Sequence, residues 1–187
     1  MAKKILELIS SPRKNGNSTL LAHAIADGAR SGGARVEKVN LHRLNIRPCT
    51  ACEKCHGADD RFCVIRDDMR KLYAKIVAAE GIIYASPVYW FTVSAQMKLF
   101  MDRCYALGGP GGWALRGKRI AVALTYGDAD PFRSGAVNAL RTFQDTFAFV
   151  EAVFVGSVYG TGLAPGDVLK KKALLKEAFV LGKTLAG

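Results

Sequence analysis

Lys4-Ile5-Leu6-Glu7-Leu8-Ile9-Ser10-Ser11-Pro12-Arg13-Lys14-Asn15-Gly16-Asn17-Ser18-Thr19 begins as a short apolar run and ends in hydroxyls, amides, a turn glycine and two cations. A helical period follows at once. Leu21, Ala24, Ile25 and Gly28 keep the i, i+3, i+4, i+7 spacing, with Ser18 or Asn17 available as a cap and Gly32-Gly33 as a stop. A buried strand that turns through small polar residues into a helix amino terminus offers unpaired N–H groups and a partial positive charge to an anion. The loop has neither the G-x-G-x-x-G of a dinucleotide fold nor the G-K-[ST] of a nucleotide-hydrolysing loop, so it suits a phosphate monoester. An ordinary polar turn with a helix cap is the competing reading.

Outward from this stretch, apolar runs bounded by turn signals recur at 35–41, 81–85, 119–124 and 152–158, each short enough for a parallel strand buried on both faces. Helical stripes lie between most of them. One is Met69, Leu72, Tyr73 and Ile76; another is Val93, Met97, Phe100, Met101 and Cys104; weaker patterns cover 134–147 and 166–185. Strand and helix alternate, which predicts an α/β fold: a three-layer, doubly wound, five-stranded parallel sheet in the order 2-1-3-4-5 with right-handed crossovers. One domain over residues 1–187 accommodates this chain, with a cysteine-rich insertion at about 45–65. A second interruption, at 107–117, is rich in glycine and carries Pro110 and Trp113.

Ser86-Pro87-Val88-Tyr89-Trp90-Phe91-Thr92 puts three aromatic residues in a row where the third strand should give way to a polar loop. In the order 2-1-3-4-5 the sheet reverses between strands one and three, so the loops after both open onto one crevice. A phosphate held by the first loop and a flat ring set against the second describe FMN. Packing of the three aromatics on a helix or a second subunit is the alternative, and the two are compatible. In an extended loop Tyr89 and Phe91 face one side and Trp90 the other.

Cys49, Cys52, Cys55 and Cys63 are separated by two, two and seven residues. Three thiolates at successive x2 intervals can converge on one face of a 4Fe-4S cubane, whereas structural zinc more often draws on two separated C-x2-C pairs. By spacing alone an iron-sulfur cluster, zinc and an empty site all remain open. Cys104 continues a helical stripe and reads as a core residue, and His56 as a solvated loop residue; His23 and His42 have no evident partner. No Ser/His/Asp set, paired-carboxylate motif or H-E-x-x-H occurs.

The net charge of +11 favours anionic ligands, acidic protein partners or nucleic acid. Basic residues are not interleaved with aromatics in the manner of a single-strand binder, and Lys170-Lys171-Lys172 reads as a solvated helix face, so no nucleic-acid partner is expected. The apolar run at the amino terminus is too short for a signal peptide, and none approaches the roughly 20 residues of a membrane span. A cytoplasmic protein with reduced thiols is expected.

Ser11-Pro12-Arg13-Lys14-Asn15-Gly16-Asn17-Ser18, Pro48-Cys49-x-x-Cys52-x-x-Cys55, Cys63-Val64-Ile65-Arg66-Asp67-Asp68-Met69, and Ser86-Pro87-Val88-Tyr89 through Ser94-Ala95-Gln96-Met97-Lys98 to Asp102-Arg103 together resemble the iron-sulfur flavoproteins of the NADPH-dependent FMN reductase group. The resemblance is dense over residues 5–104 and thin beyond. It implies a flavodoxin-like fold, FMN as prosthetic group and a 4Fe-4S cluster on the four clustered cysteines, a cluster that air can strip from the purified protein. Phosphate contacts are implied for Ser11, Arg13, Asn17, Ser18 and Thr19. Flavin contacts are implied for Ser86, Pro87, Val88, Tyr89, Trp90 and Phe91, with a third loop near Thr125 and Gly127. Ser10 departs from the pattern, since relatives commonly have glycine there. The expected activity passes electrons between a ferredoxin-type donor or NAD(P)H and a small acceptor, in a homodimer or homotetramer, with no residue acting as nucleophile or base. The alternatives are an NAD(P)H-dependent FMN or quinone reductase without a cluster and a flavodoxin-like electron carrier, the latter disfavoured by the basic charge.

Overall fold

A computed structural model describes residues 2–56 and 62–187 of the chain. Its main strands are β1 (Lys4–Ile9), β2 (Arg35–Asn40), β3 (Gly81–Tyr89), β5 (Arg119–Tyr126) and β6 (Val153–Thr161), with a two-residue β4 (Thr92–Val93). The helices are α1 (Asn17–Ser31), α2 (Met69–Ala78), α3 (Ala95–Arg103), α4 (Ala136–Phe149) and α5 (Lys172–Ala186). The sheet runs β2-β1-β3-β5-β6, all parallel, while β4 folds back antiparallel on the end of β3. With β4 set aside, this is the predicted order.

Side chains of each inner strand divide between two cores, as the strand period of two requires. Leu6, Leu8, Ile82, Tyr84, Ile120, Val122 and Leu124 point to the face covered by α2, α3 and α4, where Phe100, Phe143 and Phe147 fill the space. Ile5, Ile83, Ala85, Ala121 and Ala123 point to the face covered by α1 and α5. The bulky side of the sheet therefore meets aromatic helices, and the small side admits two helices at close range. Burying a Leu, Ile or Phe contributes roughly 1.5–3 kcal/mol, so these two layers supply most of the driving force.

Several local expectations are corrected. Neither Ser18 nor Asn17 caps α1: Gly16 is the cap residue, in extended conformation. Its lack of a side chain is required, because a Cβ there would lie 2.2 Å from Ser11 Oγ. β3 runs four residues beyond its expected end at 85, because Ser86 and Pro87 still pair with Leu124 and Thr125 of β5, and Val88 and Tyr89 with β4. The stripe from Val93 to Cys104 is not one helix, since Val93 belongs to β4 and Cys104 opens a 3-10 turn. His23 has a partner after all: its Nδ1 lies 2.6 Å from Oε1 of Glu7, a carboxylate only 1% exposed in β1.

Ser10, the departure from the family pattern, closes a buried chain of hydroxyls. Its Oγ donates to the Ala85 carbonyl at 3.0 Å and receives Ser94 Oγ at 2.8 Å. Ser86 Oγ in turn accepts the Ser94 N–H at 2.9 Å, and Ser94 Oγ accepts from the Met97 N–H at the start of α3. The ends of β1 and β3 and the first turn of α3 are thereby joined by direct hydrogen bonds.

Candidate functional site

At the carboxyl edge of the sheet a cleft of about 150 Å³ is lined by Ser11, Arg13, Gly16, Asn17 and Ser18 from the first loop, Pro87 to Tyr89 from β3, Thr125 to Gly127 after β5, and Gly162 and Leu163 after β6. Three expected loops thus meet in one place. Ser18 Oγ and Thr19 Oγ1 are buried and have no hydrogen-bond partner among the described residues. They stand in the first turn of a 15-residue helix, whose leading N–H groups lack intrahelical acceptors. Buried hydroxyls are ordinarily paired, so both are available to an external acceptor, Ser18 from the lining of the cleft and Thr19 from just outside it.

The other members of the first loop are held from across the cleft. Arg13 Nη1 donates to the Leu163 carbonyl at 2.6 Å. Asn17 Nδ2 donates to the Ala164 carbonyl at 2.9 Å while its Oδ1 accepts the Val168 N–H at 3.2 Å. The Asn17 amide is therefore occupied as a tie to the loop after β6. Ser86 Oγ is likewise spent on the hydroxyl chain and on the Pro87 carbonyl at 2.8 Å, so it does not line the cleft.

Trp90 and Phe91 form the two-residue turn between β3 and β4, with φ of 46° and 66°. Such turns favour Asn-Gly, because a side chain in the left-handed region costs about 1–2 kcal/mol. The expected alternation of Tyr89, Trp90 and Phe91 fails for this reason, since it presumes extended backbone. Tyr89 lines the cleft, Trp90 projects to solvent at 91% exposure, and Phe91 rests on the start of α4. There a Cβ on Gly135 would lie 2.3 Å from the Phe91 Cα, and Asn138 Nδ2 donates to the Phe91 carbonyl at 3.3 Å.

Cys49, Cys52, Cys55 and Cys63 line a second, larger cavity of about 550 Å³, walled opposite by Met101, Cys104, Tyr105, Trp113, Leu115 and Phe149. All are free thiols. Ala51 and Glu53 adopt positive φ, which curls the loop, and the Ala51 N–H donates to Cys49 Sγ at 3.4 Å. A hydrogen bond from the Lys54 backbone, helped by Thr50, lowers the pKa of Cys52, whereas burial raises that of Cys55. Burial also pushes the Cys104 thiol up. Cys104 is partly buried: it packs against the core and also faces the cysteine cavity. Among the described residues no three His, Cys, Asp or Glu side chains close around a single point as metal ligands do. His56 is not merely solvated, for its ring stacks on Tyr105 at 4.2 Å and Nε2 lies 2.9 Å from the Tyr105 carbonyl. No helix among the described residues is long and apolar enough to cross a membrane.

Residues 3–165 match the family described as NADPH-dependent FMN reductase. The chain belongs to the NADPH-dependent FMN reductase family. As a member it is an FMN-dependent redox enzyme. Similar proteins include an iron-sulfur flavoprotein of Methanocaldococcus jannaschii, 31% identical over 98% of this chain and 95% of that protein. Another, from Methanosarcina thermophila, is 38% identical over 82% and 77%. Among solved structures, the Trp repressor binding protein from Bacillus subtilis superposes with a TM-score of 0.70 at 27% identity, covering 96% of this chain and 98% of that one.

In this FMN reductase family member the cleft also contains residues that the sequence did not single out, Gly162 and Leu163, beside Tyr126 of the expected third loop. The available signal was Gly160-Thr161-Gly162-Leu163-Ala164-Pro165-Gly166, a turn-rich segment after the last strand. Gly162 is needed there, because a Cβ would lie 2.4 Å from Asn17 Nδ2. The lysine run is not simply a solvated face either. Lys170 and Lys171 line a neighbouring cavity of about 410 Å³ with Asp128, Thr161 and Asp167, and Lys171 Nζ bonds Thr161 Oγ1.

Proposed function

We propose that this enzyme binds FMN in the carboxyl-edge cleft, carries a 4Fe-4S cluster on Cys49, Cys52, Cys55 and Cys63, and passes electrons between NAD(P)H or a ferredoxin-type donor and a small acceptor. When bound, FMN supplies one- and two-electron transfer and the cluster one-electron transfer. The observation that carries the flavin site is the pair of buried, unpartnered hydroxyls on Ser18 and Thr19. With Ser11, Arg13 and the leading N–H groups of α1 they present donors to a dianionic phosphate. Pro87, Val88, Tyr89, Thr125 and Gly127 bound the space for the ring, and backbone N–H groups there would orient its polar edge. Tyr89, 38% exposed in the protein alone, is the aromatic plane at hand, while Trp90 and Phe91 act from the turn beside it.

Four free thiols facing one cavity suit iron-sulfur ligation in their donor chemistry, and the kinship with iron-sulfur flavoproteins supports it. A second reading, an NAD(P)H-dependent reductase without a cluster, is favoured by the open arrangement of the described cysteine sulfurs. Its relative is the putative NAD(P)H-dependent FMN-containing oxidoreductase of Bacillus subtilis, 28% identical over 94% of both chains. The proposed protein is a cytoplasmic homo-oligomer, as a dimer or tetramer.

Two measurements test this reading. FMN titration of Ser18→Ala and Thr19→Val proteins should show weakening in each, by about 1–3 kcal/mol for each lost donor to a charged acceptor. Unchanged affinity in both would move the phosphate elsewhere. Iron and sulfide assay of anaerobically purified protein decides the cluster, with absence of both selecting the second reading.

A further inference from the structure

The stretch that bears the clustered cysteines is tied together at its base. The Asn45 N–H donates to the Asp68 carboxylate at 2.9 Å, and the Asp68 N–H returns to the Asn45 carbonyl at 3.2 Å. Two residues further in, the Arg47 N–H donates to Asp67 Oδ2 at 2.9 Å and the Arg47 guanidinium to the Arg66 carbonyl at 3.3 Å. Cys49, Cys52, Cys55 and Cys63 all lie inside this base.

Arg103, the last residue of α3, enters the base from the core. Its Nη1 lies 2.5 Å from Asp67 Oδ2 and its Nη2 3.3 Å from Oδ1, a two-pronged pair in which both side chains are 0% exposed. Nη1 also donates to the Arg47 carbonyl at 2.8 Å, so one guanidinium grips both ends of the loop. Asp67 additionally accepts the Met69 N–H at 3.1 Å, where α2 begins. The Arg103 carbonyl receives the Tyr73 hydroxyl at 3.0 Å, and the Tyr73 ring stacks on Phe62, the neighbour of Cys63, at 4.8 Å.

A fully buried ion pair adds little net stability over apolar side chains of the same volume. What it does supply is a fixed geometry, because the planar fork accepts a carboxylate in one orientation. The other end of α3 is equally fixed, since Ser94 joins it to Ser10 and Ser86 beside the carboxyl-edge cleft. α3 is thus a strut with the cleft at its amino terminus and the cysteine loop at its carboxyl terminus.

We infer that Arg103 and Asp67 are positioning residues: their pair clasps both ends of the cysteine loop to α3 and sets the loop in place relative to the cleft. For the cluster this inference rests on the function proposed above, whereas the clasp itself is independent of any metal.

The test compares the parent with Arg103→Met/Asp67→Leu, which replaces the pair by apolar side chains of similar size, and with Arg103→Lys, which keeps the charge without the fork. FMN content and melting temperature establish folding. Two readouts then follow: tryptic cleavage after Lys54 in metal-free protein, and iron per chain after anaerobic reconstitution. The double variant should keep FMN, be cut about tenfold faster at Lys54 because the loop opens more often, and lose most of its iron, with Arg103→Lys falling between. A folded, FMN-loaded double variant with parental cleavage and parental iron overturns the clasp. Should the double variant not fold, the same readouts on Arg103→Lys decide. A parent that takes up no iron counts against the cluster alone, and cleavage at Lys54 still decides the clasp.

Discussion

Gly28 of α1 and Gly182 of α5 face each other so closely that a Cβ on Gly28 would lie 1.9 Å from the Phe179 carbonyl oxygen, and one on Gly182 the same distance from that of Ile25. The two helices meet backbone to backbone. This contact is possible because the sheet beneath offers Ala85, Ala121 and Ala123 on that face. It also fixes the axis of α1, and so the direction in which its amino terminus addresses the cleft. Gly28→Ala or Gly182→Ala forces the helices apart, which should cost about 1–3 kcal/mol and lower the melting temperature. Thermal unfolding followed by circular dichroism checks this, and a parental melting temperature in both variants would show that the helices separate freely.

Arg13 spans the cleft to the Leu163 carbonyl, and in doing so lends one prong of its guanidinium to the loop after β6. In the proposed function its remaining donors would serve the FMN phosphate. Arg13→Ala should weaken FMN binding by about 1.5–3 kcal/mol through loss of a charge-assisted bond. Fluorescence titration reads this directly, and an unchanged dissociation constant would assign Arg13 to the loop alone.

Strand order, the two cores and the convergence of three loops were legible because each depends on short-range pattern: apolar runs such as Ile5–Ile9, polar turns, helical stripes such as Met69–Ile76. Gly162 and Leu163 were not, because a turn-rich segment gives no sign of which side of the sheet it folds toward until α5 docks on α1. Trp90 and Phe91 misled for the opposite reason. Their sequence suggests an extended aromatic run, and only the pairing of Val88 with Val93 forces them into a turn. The Arg103–Asp67 pair joins residues 36 positions apart, and neither periodicity nor spacing announces it.

Burial alone would raise the Asp67 carboxyl, but hydrogen bonds from Arg103 and the Arg47 N–H, with the Arg103 charge, hold it below the ordinary carboxylate value of 3.8. A carboxylate depressed in the folded state stabilises it fully above the unfolded value, and that contribution is lost as pH falls through the folded value. The clasp should therefore persist through neutral and mildly acidic conditions and fail only below about pH 4. Cleavage by an acid protease inside the cysteine loop, followed as pH is lowered, should accelerate in that window in the parent. In Asp67→Asn it should already be fast above it; the same profile in both proteins would detach Asp67 from the loop's acid sensitivity.

The turn at Trp90 and Phe91 places two bulky residues in left-handed backbone, so it holds strain that Asn-Gly would not. Trp90→Asn/Phe91→Gly should raise stability by about 1–2 kcal/mol if the turn is kept, since Gly carries no left-handed penalty and Asn a reduced one, against the extra chain entropy that Gly loses on folding. Tyr89, the residue that precedes this turn, is itself an aromatic wall of the cleft. Bound FMN is quenched by an aromatic ring stacked on it, and offset stacking contributes about 0.5–1.5 kcal/mol beyond area burial. Tyr89→Leu should therefore brighten bound FMN and weaken it modestly. The double turn variant should be more stable yet slower in NAD(P)H oxidation, because the exposed rings next to Tyr89 would be lost to a bound flavin or substrate. Melting temperature, FMN fluorescence and steady-state rate on the same preparations separate the three effects. A turn variant that is more stable and fully active would leave Trp90 and Phe91 without a part in the reaction, and Tyr89 as the aromatic residue of this hairpin that serves the flavin.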